Sequence, residues 1–124
     1  MIRYERAPDI EAKAMEIAGR LDIRHDFSRV VFVRSRGSKS RRTLARCHAL
    51  PRIMQAALDK KAHYVVEVIS ENFDGLDDTE KIKTIIHELL HIPKSFGGGF
   101  RHHSYVNRKT IEKMYRKLSR ASRP

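Results

Sequence analysis

Residues 77–93 read DDTEKIKTIIHELLHIP, and this stretch decides the fold. Its apolar side chains recur three and four positions apart, which is the period of an amphipathic helix. Asp77 is a suitable N-cap with Glu80 as its partner, and Pro93 cannot continue a helix. The sequence therefore predicts a helix from Asp77 to His91. Its core stripe comprises Ile82, Ile85, Ile86, Leu89 and Leu90.

The other face of this helix carries two histidines. His87 and His91 are four residues apart, so both imidazoles project from the same side. Such a pair can hold one zinc ion at about 2.0–2.1 Å from each nitrogen. Glu88 points to the flank of this face, where it can deprotonate a zinc-activated water without being a ligand. The pattern indicates a zinc-dependent metallopeptidase with one zinc per chain that acts on a peptide or protein. The competing interpretation is a polar face with two solvated histidines.

A catalytic zinc usually has three protein ligands and one open position. His102 and His103 are the first candidates for the third ligand, because the preceding glycines allow a sharp turn back over the helix. Glu112, the only glutamate after Glu88, is a further candidate. If four protein residues closed the site, the zinc would be structural.

Three other residues are candidates for contacts to substrate. Arg101 and Tyr105 flank the histidine pair, and either could stabilise an oxyanion. His48 lies in a predicted strand, and a strand beside the cleft could align a peptide. The alternative is a surface or packing role for each. His25 and His63 lie near element ends, and we expect them to be exposed.

The rest of the chain predicts a single α+β domain over residues 1–124, with an N-terminal helix, a small mixed sheet and a C-terminal helix. We expect Thr43–Leu50 to pair back on the first strand, and Ile53–Leu58 to be either a short helix or an irregular crossing. The other predicted elements are a helix at Asp9–Leu21, strands at Val30–Val33 and His63–Ser70, an exposed basic loop at Arg34–Arg42, and a helix capped by Asn107.

The chain is strongly basic, with a formal net charge of +11 from 26 basic and 15 acidic residues. Such a charge favours contact with polyanions, although it is also typical of a solvated surface. The alternative function is therefore a nucleic-acid-associated protease, or a basic nucleic-acid-binding module with a structural zinc. Two clusters carry this alternative: the Arg34–Arg42 loop and a C-terminal set of Arg108, Lys109, Lys113, Arg116, Lys117, Arg120 and Arg123.

Cys47 is the only cysteine, which excludes an internal disulfide and a cysteine-rich zinc site. We expect it to fill a small apolar space, as free cysteines usually do. A free thiol suits a reducing compartment, and no signal peptide or membrane-spanning run is visible. The expected location is the cytoplasm, without a membrane partner.

The segment His87–His103, HELLHIPKSFGGGFRHH, resembles the signature of small metallopeptidases of archaea and phages. Two upstream segments, ARCHALP at 45–51 and VEVISENF at 66–73, are also similar to that family. The resemblance covers roughly residues 28 to 106. It implies a minimal zincin-like fold with a zinc site. The family's motif ends in a pattern resembling Arg-x-His, which favours His103 over His102 as third ligand, although His102 stands where other members have proline.

Overall fold

The computed structural model describes residues 1–93, 96, 99 and 106–121, and they form mixed α and β structure. The predicted α+β class is confirmed. The strands are β1 (Arg3–Arg6), β2 (Val30–Arg36), β3 (Ala45–Ala49) and β4 (Tyr64–Ile69). The helices are α1 (Pro8–Leu21), α2 (Arg52–Leu58), α3 (Ser70–Phe73), α4 (Asp78–His91) and α5 (Arg108–Ala121), with a short 3₁₀ turn at Phe27–Arg29 before β2.

The four strands form one mixed sheet in the order β1-β2-β4-β3. β2 runs parallel to β4, whereas β1 and β3 run antiparallel to their neighbours. The expectation that Thr43–Leu50 would pair back on the first strand is therefore wrong, because β3 pairs with β4. β4, YVVEVI, is the most continuously apolar strand, and an inner position gives it a hydrogen-bonded neighbour on each side.

The segment predicted as an exposed loop from Arg34 begins as strand, since β2 extends to Arg36. Two carboxylates explain the difference: Arg34 donates to both oxygens of Asp9 at 3.0 Å and to Asp74 at 3.2 Å. Asp9 and Asp74 lie far from Arg34 in the sequence and neutralise its charge. The residues next to Arg34 in the sequence are typical of a loop. The sequence pattern also missed β1, whose four residues, RYER, are all exposed.

The core lies on one face of the sheet. Val30, Phe32, Tyr64, Val66 and Val68 point to this face and are at most 2% exposed. They pack against the three fourteen-residue helices α1, α4 and α5. The alternate side chains of β2 and β4 point to the opposite face. The metal-motif helix is therefore held between the sheet and the two other long helices.

The α4 helix begins and ends as the sequence predicts. Asp77 is its N-cap, and its carboxylate accepts a hydrogen bond from the Glu80 amide at 2.9 Å. Ile85, Ile86, Leu89 and Leu90 are buried. Within the described residues, no helix combines the length and the apolar character needed to cross a membrane.

Candidate metal centre and cleft

The helical spacing brings the two motif histidines together. The Nε2 atoms of His87 and His91 lie 3.1 Å apart, and both side chains are half-buried. Two nitrogens bound to one tetrahedral zinc at ordinary distances are about 3.3 Å apart, so the pair fits that ion. The ligand atoms of His87, Glu88 and His91 lie within 4.8 Å of one another. In the described part of the chain, this is the only such group of potential ligands found.

Glu88 lies in an unusual environment for a carboxylate. It is 4% exposed, and its Oε2 atom has no hydrogen-bond partner among the described residues. Burial raises the pKa of Glu88 to about 7, because a buried carboxylate loses the hydration that stabilises its charge. A carboxylate with a pKa near neutrality is well matched to accept and return a proton at physiological pH.

His87 and Glu88 open onto a cleft of about 570 Å³. One wall is α4, a second is the start of α5, and the third is the end of the loop before β3 together with the first residue of that strand. The lining residues are Thr43, Leu44, Ala45, Glu80, Lys83, Thr84, His87, Glu88, Arg108, Ile111 and Glu112.

The strand that borders this cleft is the edge of the sheet. Ala45, Cys47 and Ala49 of β3 are half-buried and pack against the core. Burial, with a smaller effect from the nearby charge of Glu88, raises the pKa of the Cys47 thiol to about 12. Cys47 therefore packs as a small group against the core, as the sequence predicts, and its raised pKa disfavours the reactive thiolate.

Glu112, the acidic candidate for the third ligand, lines the same cleft. Its Oε1 accepts a hydrogen bond from the Lys83 ammonium at 2.6 Å, and this contact lowers the pKa of the Glu112 carboxyl. The ion pair joins α5 to α4. In the structure, Glu112 links the two helices and is not part of the His87–Glu88–His91 group.

His48 lies on β3 but points away from the cleft. Its Nε2 donates to the Glu67 carboxylate at 2.8 Å, and its side chain is 51% exposed. Glu67 itself is 4% exposed. Sequence reasoning missed this pair, because Glu67 occupies a position in an apolar strand that gives no sign of its partner.

His25 was expected to be exposed, and this expectation is wrong. It is half-buried, and its Nε2 donates to the Leu89 carbonyl at 2.9 Å in the last turn of α4. Burial lowers the pKa of His25. No local signal links positions 64 residues apart, so this support for the motif helix was invisible in the sequence. His63 is also half-buried, and its Nδ1 contacts the Lys61 carbonyl at 2.7 Å.

The remaining predicted site residues, Arg101, His102, His103 and Tyr105, lie outside the described residues. Two described positions after α4 contact the start of β4. Phe96 is 7% exposed and packs edge-on against Tyr64, with ring centroids 5.2 Å apart. The Tyr64 hydroxyl donates to the Gly99 carbonyl at 2.9 Å. Phe96 and Gly99 are thus both in contact with Tyr64, the first residue of β4.

A His-Glu-x-x-His helix that opens onto a cleft beside an edge strand has the organisation of a metallopeptidase centre. The chain belongs to the family described as "Putative phage metallopeptidase", whose model matches residues 2–121. This match confirms the family resemblance that the sequence shows over roughly residues 28 to 106, and it covers a longer stretch of the chain. No significant match was found among curated proteins, and none among solved structures.

Proposed function

We propose that the protein is a zinc-dependent metallopeptidase that hydrolyses peptide bonds with Glu88 as its general base. The observation that carries this proposal is the pair of histidine nitrogens 3.1 Å apart beside the buried carboxylate of Glu88. Neither a structural ion pair nor a solvated helix face would explain why the Glu88 carboxylate is kept out of water.

His87 and His91 would hold the ion, together with a third ligand from the segment between α4 and α5. We propose His103 for this role, with His102 as the alternative and Glu112 last, because Glu112 already pairs with Lys83. When bound, zinc would supply Lewis acidity, polarising the scissile carbonyl and lowering the pKa of water toward about 7.

Glu88 would take the proton of the attacking water and return it to the leaving amine. Its burial supports this cycle, because a carboxylate with an ordinary pKa would be a weaker base and a poorer proton donor afterwards. The Oε2 atom, which has no partner among the described residues, is the oxygen available for such an exchange.

The open edge of β3 would align the substrate. A peptide added beside an edge strand gains main-chain hydrogen bonds without any requirement on its sequence. β3 begins at Ala45, which lines the cleft with His87 and Glu88. A peptide lying along this strand would therefore pass its backbone beside the base.

The proposal is tested by zinc content and casein hydrolysis, measured together on wild-type protein and on His87→Ala. We expect about one zinc per chain in the wild type, activity lost with a chelator and restored by zinc, and neither zinc nor activity in His87→Ala. His63→Ala is the matched control, since His63 lies outside the cleft, and it should retain both properties. Full zinc occupancy in His87→Ala would contradict the proposed ligand set.

A nucleic-acid-associated protease is the second candidate. Of the predicted basic loop, Arg34 and Arg36 are paired with acidic residues. Lys39, Arg41 and Arg42 remain exposed and have no ion pair within the described ranges, which favours contact with an anion. The third possibility, a binding module with a structural zinc, would require four protein ligands and would show no hydrolysis in the casein assay.

A further inference from the structure

The segment from Ser38 to His48 concentrates positive charge at one edge of the sheet. It contains Lys39, Arg41, Arg42 and Arg46 and no acidic residue, and all four cations are exposed. Among the described residues, none of the four forms an ion pair. Arg46 differs from the other three because it lies within the edge strand β3 itself.

The hydrogen bonds of β3 fix which of its groups face outward. The Leu44 carbonyl accepts from the Ile69 amide, and the Leu50 amide donates to the His63 carbonyl, each at 2.9 Å. Even-numbered residues therefore direct their peptide groups at β4, and the peptide groups of Ala45, Cys47 and Ala49 point to the free edge. A peptide added antiparallel at this edge would bond to those odd-numbered residues.

This register places Arg46 opposite one particular residue of the added peptide. Between two hydrogen-bonded positions of an antiparallel pair lies a non-hydrogen-bonded position, where facing side chains come closest. Arg46 occupies that position between Ala45 and Cys47. Ala45 lines the cleft with His87 and Glu88, and Cys47 lies close enough to feel the charge of Glu88. Arg46 is thus level with the proposed base.

We propose that Arg46 is a specificity-determining residue that selects substrates with an acidic side chain at the position facing it, next to the scissile bond. This inference rests on the proposed peptidase function. An opposite-charge pair across neighbouring strands is favourable, whereas a like-charge pair is unfavourable.

The carboxylate across from Arg46 on β4 is already engaged by another residue. Glu67 is the cross-strand partner of Arg46, but it is 4% exposed and accepts a hydrogen bond from His48. Within the described residues, the ion pair of Glu67 is with His48 and not with Arg46. Arg46 is exposed and shares a face of the sheet with His48, so the peptide residue that faces it would also project its side chain on that face, away from the cleft. The exposed loop cations Arg41 and Arg42 add a field of the same sign.

The test is cleavage of a peptide set that varies one residue through Asp, Glu, Gln, Lys and Arg at each position around the scissile bond. Wild-type protein should prefer the acidic peptides over the Gln peptide by roughly two- to fivefold in kcat/KM at one position. Arg46→Gln should lose the preference, and Arg46→Glu should invert it toward Lys and Arg. Arg3→Glu is the matched control, because Arg3 is an exposed arginine on the opposite edge strand β1, and it should keep the wild-type preference.

Activity with equal preference in wild type and Arg46→Glu would overturn the inference and leave the proposed function intact. An equal shift in Arg3→Glu would also overturn it, because net charge alone would then explain the selectivity.

If no peptide is cleaved, the proposed function fails, and binding is measured by fluorescence anisotropy with the same labelled peptides. Equal binding of acidic and basic peptides would overturn the role of Arg46 independently of catalysis. Arg46-dependent binding of a labelled single-stranded DNA in place of the peptides would assign this edge to nucleic acid and also overturn it.

Discussion

The buried carboxylate of Glu88 makes a quantitative prediction about the metal-free protein. Its pKa is about 7 in the folded chain, against 4.5 as the ordinary value of the side chain. Below pH 4.5 the carboxyl is neutral in both states and costs nothing. As the pH rises, the unfolded chain releases the proton first, so the folded state loses stability until about pH 7, where the penalty levels off.

The size of this effect follows from 1.36 kcal/mol per pH unit. Between pH 4.5 and 7 the loss amounts to about 3 kcal/mol, which is an upper figure because water can enter a relaxed site. Glu88→Gln removes the titration and nearly preserves the shape. In the presence of a chelator, we expect Glu88→Gln to gain stability over wild type by up to about 3 kcal/mol between pH 4.5 and 7.

The assay is urea denaturation followed by circular dichroism at half-unit steps from pH 4 to 8.5. His87 and His91 are present in both proteins, so to first order their own titration cancels in the difference. A difference between the two proteins that stays constant across this range would refute the reasoning, because it would mean that Glu88 ionises normally in the folded chain. A difference that grows only above pH 7 would come from another group, because the onset for Glu88 is set by its pKa in the unfolded chain.

Three further predictions concern other parts of the chain. His103→Ala should lower zinc affinity far more than His102→Ala in a competitive chelator titration, and equal, tight binding in both variants would move the third ligand elsewhere. Cys47 should react with an aromatic disulfide reagent at pH 8 roughly a thousandfold more slowly than it does in guanidinium, because its thiol pKa is about 12; equal rates would show an accessible thiolate. If the exposed loop cations bind nucleic acid, the affinity for a labelled duplex should fall steeply between 50 and about 200 mM salt; no binding at low salt would leave those cations solvated.

The helix that carries the metal motif could be predicted because its signals are local. The spacing of the isoleucines and leucines, the cap at Asp77 and the stop at Pro93 all lie within one short stretch. The same period fixes the relative directions of His87, Glu88 and His91. That these three residues form one cluster could therefore be predicted without the rest of the fold.

Strand pairing could not be predicted in the same way. The sequence contains nothing local to say that β4 separates β2 from β3, because the connections allow several orders. Arg34 shows the cause most clearly. Its neighbours indicate a basic loop, and only Asp9 and Asp74, brought close by folding, make it part of a strand.

The depth of Glu88 was also hidden from the sequence. Helical phase places it on the flank of the metal face, but its burial depends on β3 packing against α4. The hydrogen bonds of His25 to Leu89 and of Tyr64 to Gly99 also join polar groups that lie far apart in the sequence. A motif therefore identified the chemical groups, whereas the pKa of Glu88 required the tertiary structure.

The most direct test of the central claim is the turnover of a peptide substrate by zinc-loaded wild type and zinc-loaded Glu88→Gln, each with its metal content measured in the same sample. We expect about one zinc per chain in both proteins and a rate 10²- to 10⁴-fold lower in the variant, since general-base catalysis typically contributes that much. Undiminished hydrolysis by zinc-loaded Glu88→Gln would contradict the account, because the proton would then be taken by another group.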